Sequence, residues 1–389
     1  MPDRHTVLGL AEEHEALRAV VRQFVDERVT PTVMQREARD EYPADLLPQM
    51  ADLGIMGMSV PEKFGGSDVD YISYALVFEE LARGWMGLAS VVGSSASGAW
   101  LIAQYGTEEQ KQKYLPELAA GKRTSGIAMT EPSAGSDLKN IRLAAVRDGR
   151  SYVLNGTKTM ITQARHAAPL VVLVRTDVTT RPAYRGMSLM LVEQGIPGYS
   201  ISRNMTKLGH KGVELCELTF DNATLPAGQL LGEAEGQGFY QMMSALDRGR
   251  IYMAGASIGI ARASLEAAIR YSAEREAFGH AIGDYQAVKL KLARMALDID
   301  AARLLTINAA VQTQNKGRAS VESAMAKVFA SETALTCALE AMRIHGGYGF
   351  TAEFPVERYY RDAPLMAIGE GMNDILMLMV ADSILAARR

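Results

Sequence analysis

The hydrophobic period of the chain changes twice along its length, and that change restricts the fold more than any other feature. Near the start, Leu17, Val20, Val21, Phe24 and Val25 repeat at the spacing of one helix face, with Pro31 just beyond its end. Residues 61–67 read as a loop, and 71–82 as another helix. Thr107 and Gln110 form a capping box that starts a helix toward Tyr114, with Pro116 and Gly121 ending that region. From about Ser125 the period shortens to two. Asn155-Gly156 reads as a hairpin turn joining 152–154 to 158–162. Residues 170–174 and 187–192 are short apolar runs, and Cys216, Leu218 and Phe220 alternate with Glu217 and Thr219 as on a half-buried strand. Residues 232–238 connect this region to the last third of the chain. Beyond Phe239 the helical period returns: Val288, Leu292, Met295, Ile299 and Ala302 step by four and three, as on a long bundle helix. Asn315-Lys316-Gly317 breaks it, an alanine-rich helix runs to about Ile344, and a last helix covers 375–385. The order is therefore helices, strands, helices. The expected fold is an α+β multidomain protein: a helical domain at 1–124, a β domain of barrel or sandwich type at 125–235, and a helical bundle at 236–389.

Composition narrows the function classes. With 48% hydrophobic and 22% charged residues and a formal charge of −4, the chain has an ordinary globular balance. No basic excess points to nucleic acid, and no polybasic cluster to a membrane surface. The longest apolar runs, such as 375–381, are read as far shorter than a membrane span, and residues 1–11 as lacking a secretory signal. Cys216 and Cys337 stand far apart and are expected to be reduced packing residues in a cytoplasmic protein. The six histidines show no metal-binding spacing, so no metal is expected.

Two stretches carry chemistry. In 366–374, Glu370 stands between Gly369 and Gly371, so the backbone can turn tightly and present a lone acid to a cavity or a flat ligand. A carboxyl buried in an apolar pocket rises toward working pH and becomes a general base; a solvated loop acid is the alternative. In 128–137, Ala-Met-Thr-Glu-Pro-Ser-Ala-Gly-Ser-Asp, small residues and hydroxyls let backbone donors, Thr130 and Ser136 approach a planar heterocycle or a phosphate.

That stretch, Gly-Thr-Glu-Glu-Gln-Lys-Gln-Lys-Tyr-Leu-Pro at 106–116, Arg-Glu-Ala-Phe-Gly at 275–279 and His-Gly-Gly-Tyr-Gly-Phe at 345–350 together resemble the acyl-CoA dehydrogenase family, in the family's order and over nearly the whole chain. The resemblance implies an N-terminal helical domain, a middle β domain and a C-terminal four-helix domain, FAD as cofactor, and a homotetramer or homodimer. It implies that Thr130 bonds the pyrimidine edge of the flavin and that Thr162 sits beside N5. Arg275, Phe278 and Gln286 would contact the dinucleotide of a neighbouring subunit. Met129, Ser136, Met160, Arg343, Gly346, Gly347, Met372 and Asp374 are the further cofactor positions. Ser136, Asp247, Arg250, Gly369 and Gly371 fall to the thioester substrate, although Asp247-Arg248-Gly249-Arg250 also reads as the charged first turn of a helix.

In the resemblance Glu370 takes the α proton of an acyl-CoA while the β hydride leaves for the flavin, and the electrons pass on to an electron-transfer flavoprotein or another acceptor. Some branches keep the base on an earlier helix; that slot is Gly249, so the role falls to Glu370. The chain departs from the family at Met160, where an aromatic residue is usual, and at Gln163, Arg343, Gly369 and Met372. Gly369 in place of tyrosine implies a roomier pocket and a branched, substituted or carboxylated acyl chain. Met160 implies a less shielded flavin. Alternatives are the same chemistry on an acyl or peptidyl carrier protein, a flavin monooxygenase on the same fold, or a FAD-binding assembly protein.

Overall fold

The computed structural model describes residues 10–386; most of the segment read for a secretory signal lies outside them. Among the described residues six α-helices come first: α1 (Glu12–Phe24, continued by a π-helical turn Val25–Val29), α2 (Val33–Ala38), α3 (Leu46–Asp52), α4 (Tyr71–Gly84), α5 (Met86–Tyr105) and α6 (Glu108–Ala119). Thr107 and Gln110 cap α6 reciprocally, as the sequence predicts, but Pro116 lies inside that helix and the stop comes at Gly121, whose φ is +64°. On α1 the buried side is His14, Arg18, Val21 and Phe24, whereas Val20 is exposed. The apolar face shifts because Arg18 turns inward to the buried Glu79 and Glu80 of α4.

Helix α5 corrects the expectation that every apolar run is short. It is long and apolar enough to cross a membrane, yet 89% of its apolar window is buried inside the protein. It packs on α4, α6 and the sheet, so it is apolar all round because it is enclosed all round.

Seven strands follow: β1 (Thr124–Ala128), β2 (Ala144–Asp148), β3 (Ser151–Thr162), β4 (Ala167–Arg175), β5 (Met187–Val192), β6 (Tyr199–Ile201) and β7 (Leu215–Pro226). The order is β1-β4-β2-β3-β7-β6, with β5 also on β4; β1 and β4 run parallel, as do β2 and β4, and the other pairs are antiparallel. The expected hairpin at Asn155-Gly156 is overturned. Strand β3 runs straight through it, and the turn lies at Gly149 and Arg150. Gly156 is instead a bulge against β7, with φ +141° and its α-carbon so close to Leu143 that a Cβ would lie 2.9 Å from that residue's Cα. Strand β4 is buried on both faces: Leu170, Val172 and Val174 join the core inside the curled sheet, while Val171 and Leu173 pack toward α5 and α6.

The last third holds α7 (Gly238–Glu274), a two-residue hairpin β8 (Glu276–Ala277) and β9 (His280–Ala281), α8 (Gln286–Lys316), α9 (Ser320–His345), α10 (Val356–Ile368) and α11 (Asn373–Ala386). Met295, Ile299 and Ala302 of α8 are buried as their spacing predicts. Helices α4 and α7 cross at van der Waals distance: a Cβ on Gly255 or Gly259 would lie 2.4 Å or 2.3 Å from backbone oxygens of α4. Buried ion pairs from Arg18, Arg262 and Arg303 to Glu79 lock α1, α4, α7 and α8 together. The β domain is held to α10 by His210, whose backbone N–H donates to Asp362 Oδ1 at 2.6 Å and whose ring meets Ser90 of α5 at 2.9 Å.

Candidate active site

Glu370 occupies the reversal between α10 and α11. The Gly369 N–H still donates to Leu365 at 2.8 Å; then Glu370 at φ +54° and Gly371 at φ +101° turn the chain. A left-handed glutamate costs roughly 1–2 kcal/mol, so surrounding contacts must hold it. They come from α9 and α7. The buried Lys327 donates to the Gly371 carbonyl at 2.8 Å and to Asn373 Oδ1 at 2.9 Å, and Asn373 is tied in turn to Ser331 and Glu332. Arg250 Nε lies 3.5 Å from the Glu370 carbonyl oxygen.

The carboxylate itself rests on α7 at Gly249. A Cβ there would lie 2.6 Å from Glu370 Oε2 and 3.0 Å from Cδ. The residue keeps partial solvent access, and the walls around it desolvate its carboxyl. Burial pushes the carboxyl up to about 7, against the pull of Arg250 and Lys327. Burial also brings the Lys327 ammonium down to about 8, opposed by Glu370. A carboxyl that burial raises toward neutrality has the property of a general base.

Asp247 and Arg250 are not in the first turn of a helix. They lie well inside α7, both buried, and Asp247 binds Arg250 Nη1 through one oxygen and Arg318 and Ser320 through the other. Gly369 faces Met253, whose Cε would meet a Cβ there at 3.3 Å. Met372 and Asp374 flank the turn on its exposed side, and Ser136 is exposed in the loop after β1.

The residues expected at the flavin ring come together from β1 and β3. The Thr159 N–H donates to the Thr130 carbonyl at 2.9 Å, fastening the loop that holds Met129 and Thr130 beside the strand end that holds Met160 and Thr162. Beneath them, fully buried Lys158 donates to the Met129 carbonyl and to Glu131, each at 2.9 Å, and Glu131 also accepts from the N–H groups of Arg142 and Leu143. Gln163 accepts from the Tyr42 hydroxyl and donates to the carbonyls of Val91 and Ser125, so it anchors this strand end to the N-terminal helices. Met160, at φ +58°, is 56% exposed.

A second set lies at the far end of α7. A cleft of about 420 Å³ is lined by Tyr271, Arg275, His345, Gly346, Gly347 and neighbours. The Arg275 side chain makes no ion pair among the described residues, and a Cβ on Gly346 or Gly347 would meet nothing within 4 Å. Phe278 and Gly279 form the hairpin turn with φ of +53° and +87°, and Phe278 is 96% exposed. Gln286 opens α8 on the surface, and Arg343 pairs with Glu340. Gly249 and Arg275 are separated by 26 residues of helix, about 39 Å at 1.5 Å per residue. One copy of the chain therefore holds Arg275 far along α7 from the seat of Glu370 at Gly249.

A free cation beside bare glycine backbone suits a pyrophosphate, and a threonine-lined strand end suits a flat heterocycle, so the donor sets fit a dinucleotide such as FAD.

Residues 11–122, 126–223 and 236–385 match, in turn, the sequence profiles of the acyl-CoA dehydrogenase N-terminal, middle and C-terminal domains. The chain belongs to the acyl-CoA dehydrogenase family. The mitochondrial short-chain specific acyl-CoA dehydrogenase of Bos taurus is 38% identical over 390 residues, covering 99% of this chain and 94% of its own. The structure of butyryl-CoA dehydrogenase from Megasphaera elsdenii matches with a TM-score of 0.92 and 34% identity, over 97% of this chain and 99% of that one. The prolyl acyl carrier protein oxidase AnaB matches with a TM-score of 0.92 and 29% identity, over 97% and 100%. Acyl-CoA dehydrogenases are FAD-dependent oxidoreductases acting on CH–CH groups, and this chain shares their three-domain fold.

Sequence reasoning missed several residues that shape the candidate site of this family member. Lys158 and Glu131 form a buried pair; Glu131 sits inside the 128–137 stretch, and its place between small residues was the available signal. Lys327 was a lone cation among Ser323, Ala324, Ala326, Ala330 and Ser331, all on a buried helix face. Tyr74 and Tyr252 lie within electrostatic range of Glu370, and burial pushes the Tyr74 hydroxyl up to about 12. Glu13, His14 and Asp70 bring ligand-type atoms together, but Asp70 caps α4 and both His14 ring nitrogens have partners.

Proposed function

We propose that the protein catalyses FAD-dependent α,β-dehydrogenation of an acyl-CoA to the trans-2-enoyl-CoA, with Glu370 as the base. The observation that carries this reading is the Glu370 carboxyl seated against Gly249 with a pKa of about 7. In its ionised form Glu370 accepts the α proton of the thioester. Its own N–H, which makes no backbone hydrogen bond among the described residues, is available to the thioester carbonyl oxygen. Lys327 and Arg250 hold the turn, and the missing side chain at residue 249 leaves room for the carboxylate. FAD, when bound, supplies the acceptor for the β hydride. The substrate's nucleotide arm runs past Ser136, Asp247 and Arg250, and reduced cofactor passes its electrons to an electron-transfer flavoprotein.

The length of α7 between the Glu370 seat at Gly249 and Arg275 supports a homotetramer or homodimer in which Arg275, Phe278 and Gln286 serve a neighbouring subunit. Exposed apolar residues on α8 (Leu290, Leu297, Leu304) and α11 (Met377, Leu378, Ile384) offer surface for that assembly.

A second reading keeps the chemistry and places the acyl group on a carrier protein; the likeness to AnaB favours it. Anaerobic mixing of the flavin-loaded protein with acyl-CoAs and with acylated carrier proteins separates the two. Bleaching by acyl-CoAs is expected. Bleaching only by carrier-bound acyl groups supports the second reading, and no bleaching by either refutes both.

A further inference from the structure

Beside the proposed base the structure buries a cation that the dehydrogenation itself does not use. Arg248 precedes Gly249 on α7 and is only 6% exposed. Its guanidinium stacks over the Tyr74 ring, with Cζ 3.7 Å from the centroid, and Nη2 donates to the buried Ser59 hydroxyl at 2.7 Å. Nη1 is buried with no hydrogen-bond partner, and Arg248 forms no salt bridge among the described residues. The Tyr74 hydroxyl is likewise buried and unpartnered. Every other deeply buried arginine of the helical core among the described residues meets a carboxylate or a carbonyl: Arg18 and Arg262 meet Glu79 and Glu80, Arg303 meets Glu79, Arg250 meets Asp247, and Arg358 meets the Gly84 carbonyl.

An unpaired buried guanidinium is costly, because cation–π stacking and one neutral hydroxyl replace little of the lost hydration. A buried charge left without its partner is strongly destabilising, so an anion that reaches Arg248 relieves that cost. The position restricts that partner. On α7, Arg248 and Tyr252 are one turn apart, and Gly249 between them carries the Glu370 carboxylate; Tyr74, under Arg248, is within electrostatic range of Glu370. A group reaching Arg248 from the reacting carbons is therefore the distal end of the acyl chain. It must be an anion that a planar fork can bind and a phenol can donate to, which is the description of a carboxylate.

We propose that the acyl pocket is built for thioesters whose acyl chain ends in a carboxylate, with Arg248 and Tyr74 as its receptor. This deepens the reading of Glu370 as base and rests on it. Arg248 is a specificity residue and takes no part in proton removal.

The test pairs each dicarboxylic monothioester with the plain acyl-CoA of equal chain length: succinyl with butyryl, glutaryl with pentanoyl, adipyl with hexanoyl. Rates of anaerobic flavin bleaching are read alongside equilibrium binding by calorimetry to the Glu370→Gln variant. At least one dicarboxylic thioester should exceed its counterpart by about tenfold or more in both readouts. Arg248→Met should reverse that ratio, and Tyr74→Phe, which keeps the ring under the guanidinium, should reduce it. Plain acyl-CoAs bleaching the flavin while all three dicarboxylic partners fail would overturn this proposal and leave the dehydrogenase reading standing. A preference unchanged in Arg248→Met would also overturn it. Failure of all six thioesters would overturn this proposal together with the acyl-CoA reading on which it rests.

Discussion

A single methyl group at residue 249 probes the proposed base without touching it. In Gly249→Ala the new Cβ would stand 2.6 Å from Glu370 Oε2, whereas ordinary contact begins near 3.4 Å. The carboxylate must therefore retreat by roughly 0.8 Å, and a misplacement of about 1 Å in a reacting group can cost about 100-fold in rate. The expected loss in the rate of flavin reduction is about 10- to 100-fold, or about 1.4–2.7 kcal/mol of activation free energy. Alanine is also the better helix former by about 1 kcal/mol, so the thermal midpoint should hold or rise, and the FAD absorbance should be retained. Stopped-flow bleaching under saturating acyl-CoA, with flavin content and melting curves measured on the same samples, reads these quantities. A reduction rate within twofold of wild type would refute the contact between residue 249 and the working carboxylate.

The pH dependence follows from the same carboxyl. Only ionised Glu370 accepts a proton, so flavin reduction should rise with pH and reach half its plateau near pH 7; a flat profile from pH 5 to 9 would contradict this. Lys327→Met removes a cation that lowers the Glu370 carboxyl and should move that acid limb to higher pH. Burial resists ionisation of Glu79 and Glu80, but their arginine partners prevail and hold both below the usual range, Glu80 at about 2. Their stabilisation is therefore present above the ordinary carboxylate value and is lost as pH falls toward 2. Glu79→Gln leaves Arg18, Arg262 and Arg303 undercompensated and should cost about 3–5 kcal/mol in denaturant unfolding. Met160→Tyr should slow air reoxidation of the reduced protein, measured by stopped flow, if the exposed methionine leaves the flavin accessible.

The three-part order of helices, strands and helices was legible because each periodic stretch reports which face is buried. Helix α5 was not, because a helix enclosed on every side has no period to read. Asn155-Gly156 misled for a physical reason: the positive φ that suits a tight hairpin also suits a bulge, and only the neighbouring strand β7 distinguishes them. The tight turn at Glu370 was legible through its flanking glycines. Its seat on Gly249 was not, since that contact joins α7 to a turn beyond α10. The Asp-Arg-Gly-Arg run read as a charged helix start because nothing in four residues tells that Asp247 and Arg250 bind each other in the interior while Arg248 lies against Tyr74.

Removal of the α proton by Glu370 is put to the test by anaerobic single-turnover mixing of Glu370→Gln with a thioester that bleaches the wild-type flavin. Glutamine preserves the shape of the side chain and cannot take up the proton. The variant should keep its FAD and bind the thioester but not bleach. Bleaching at a near-normal rate would contradict it.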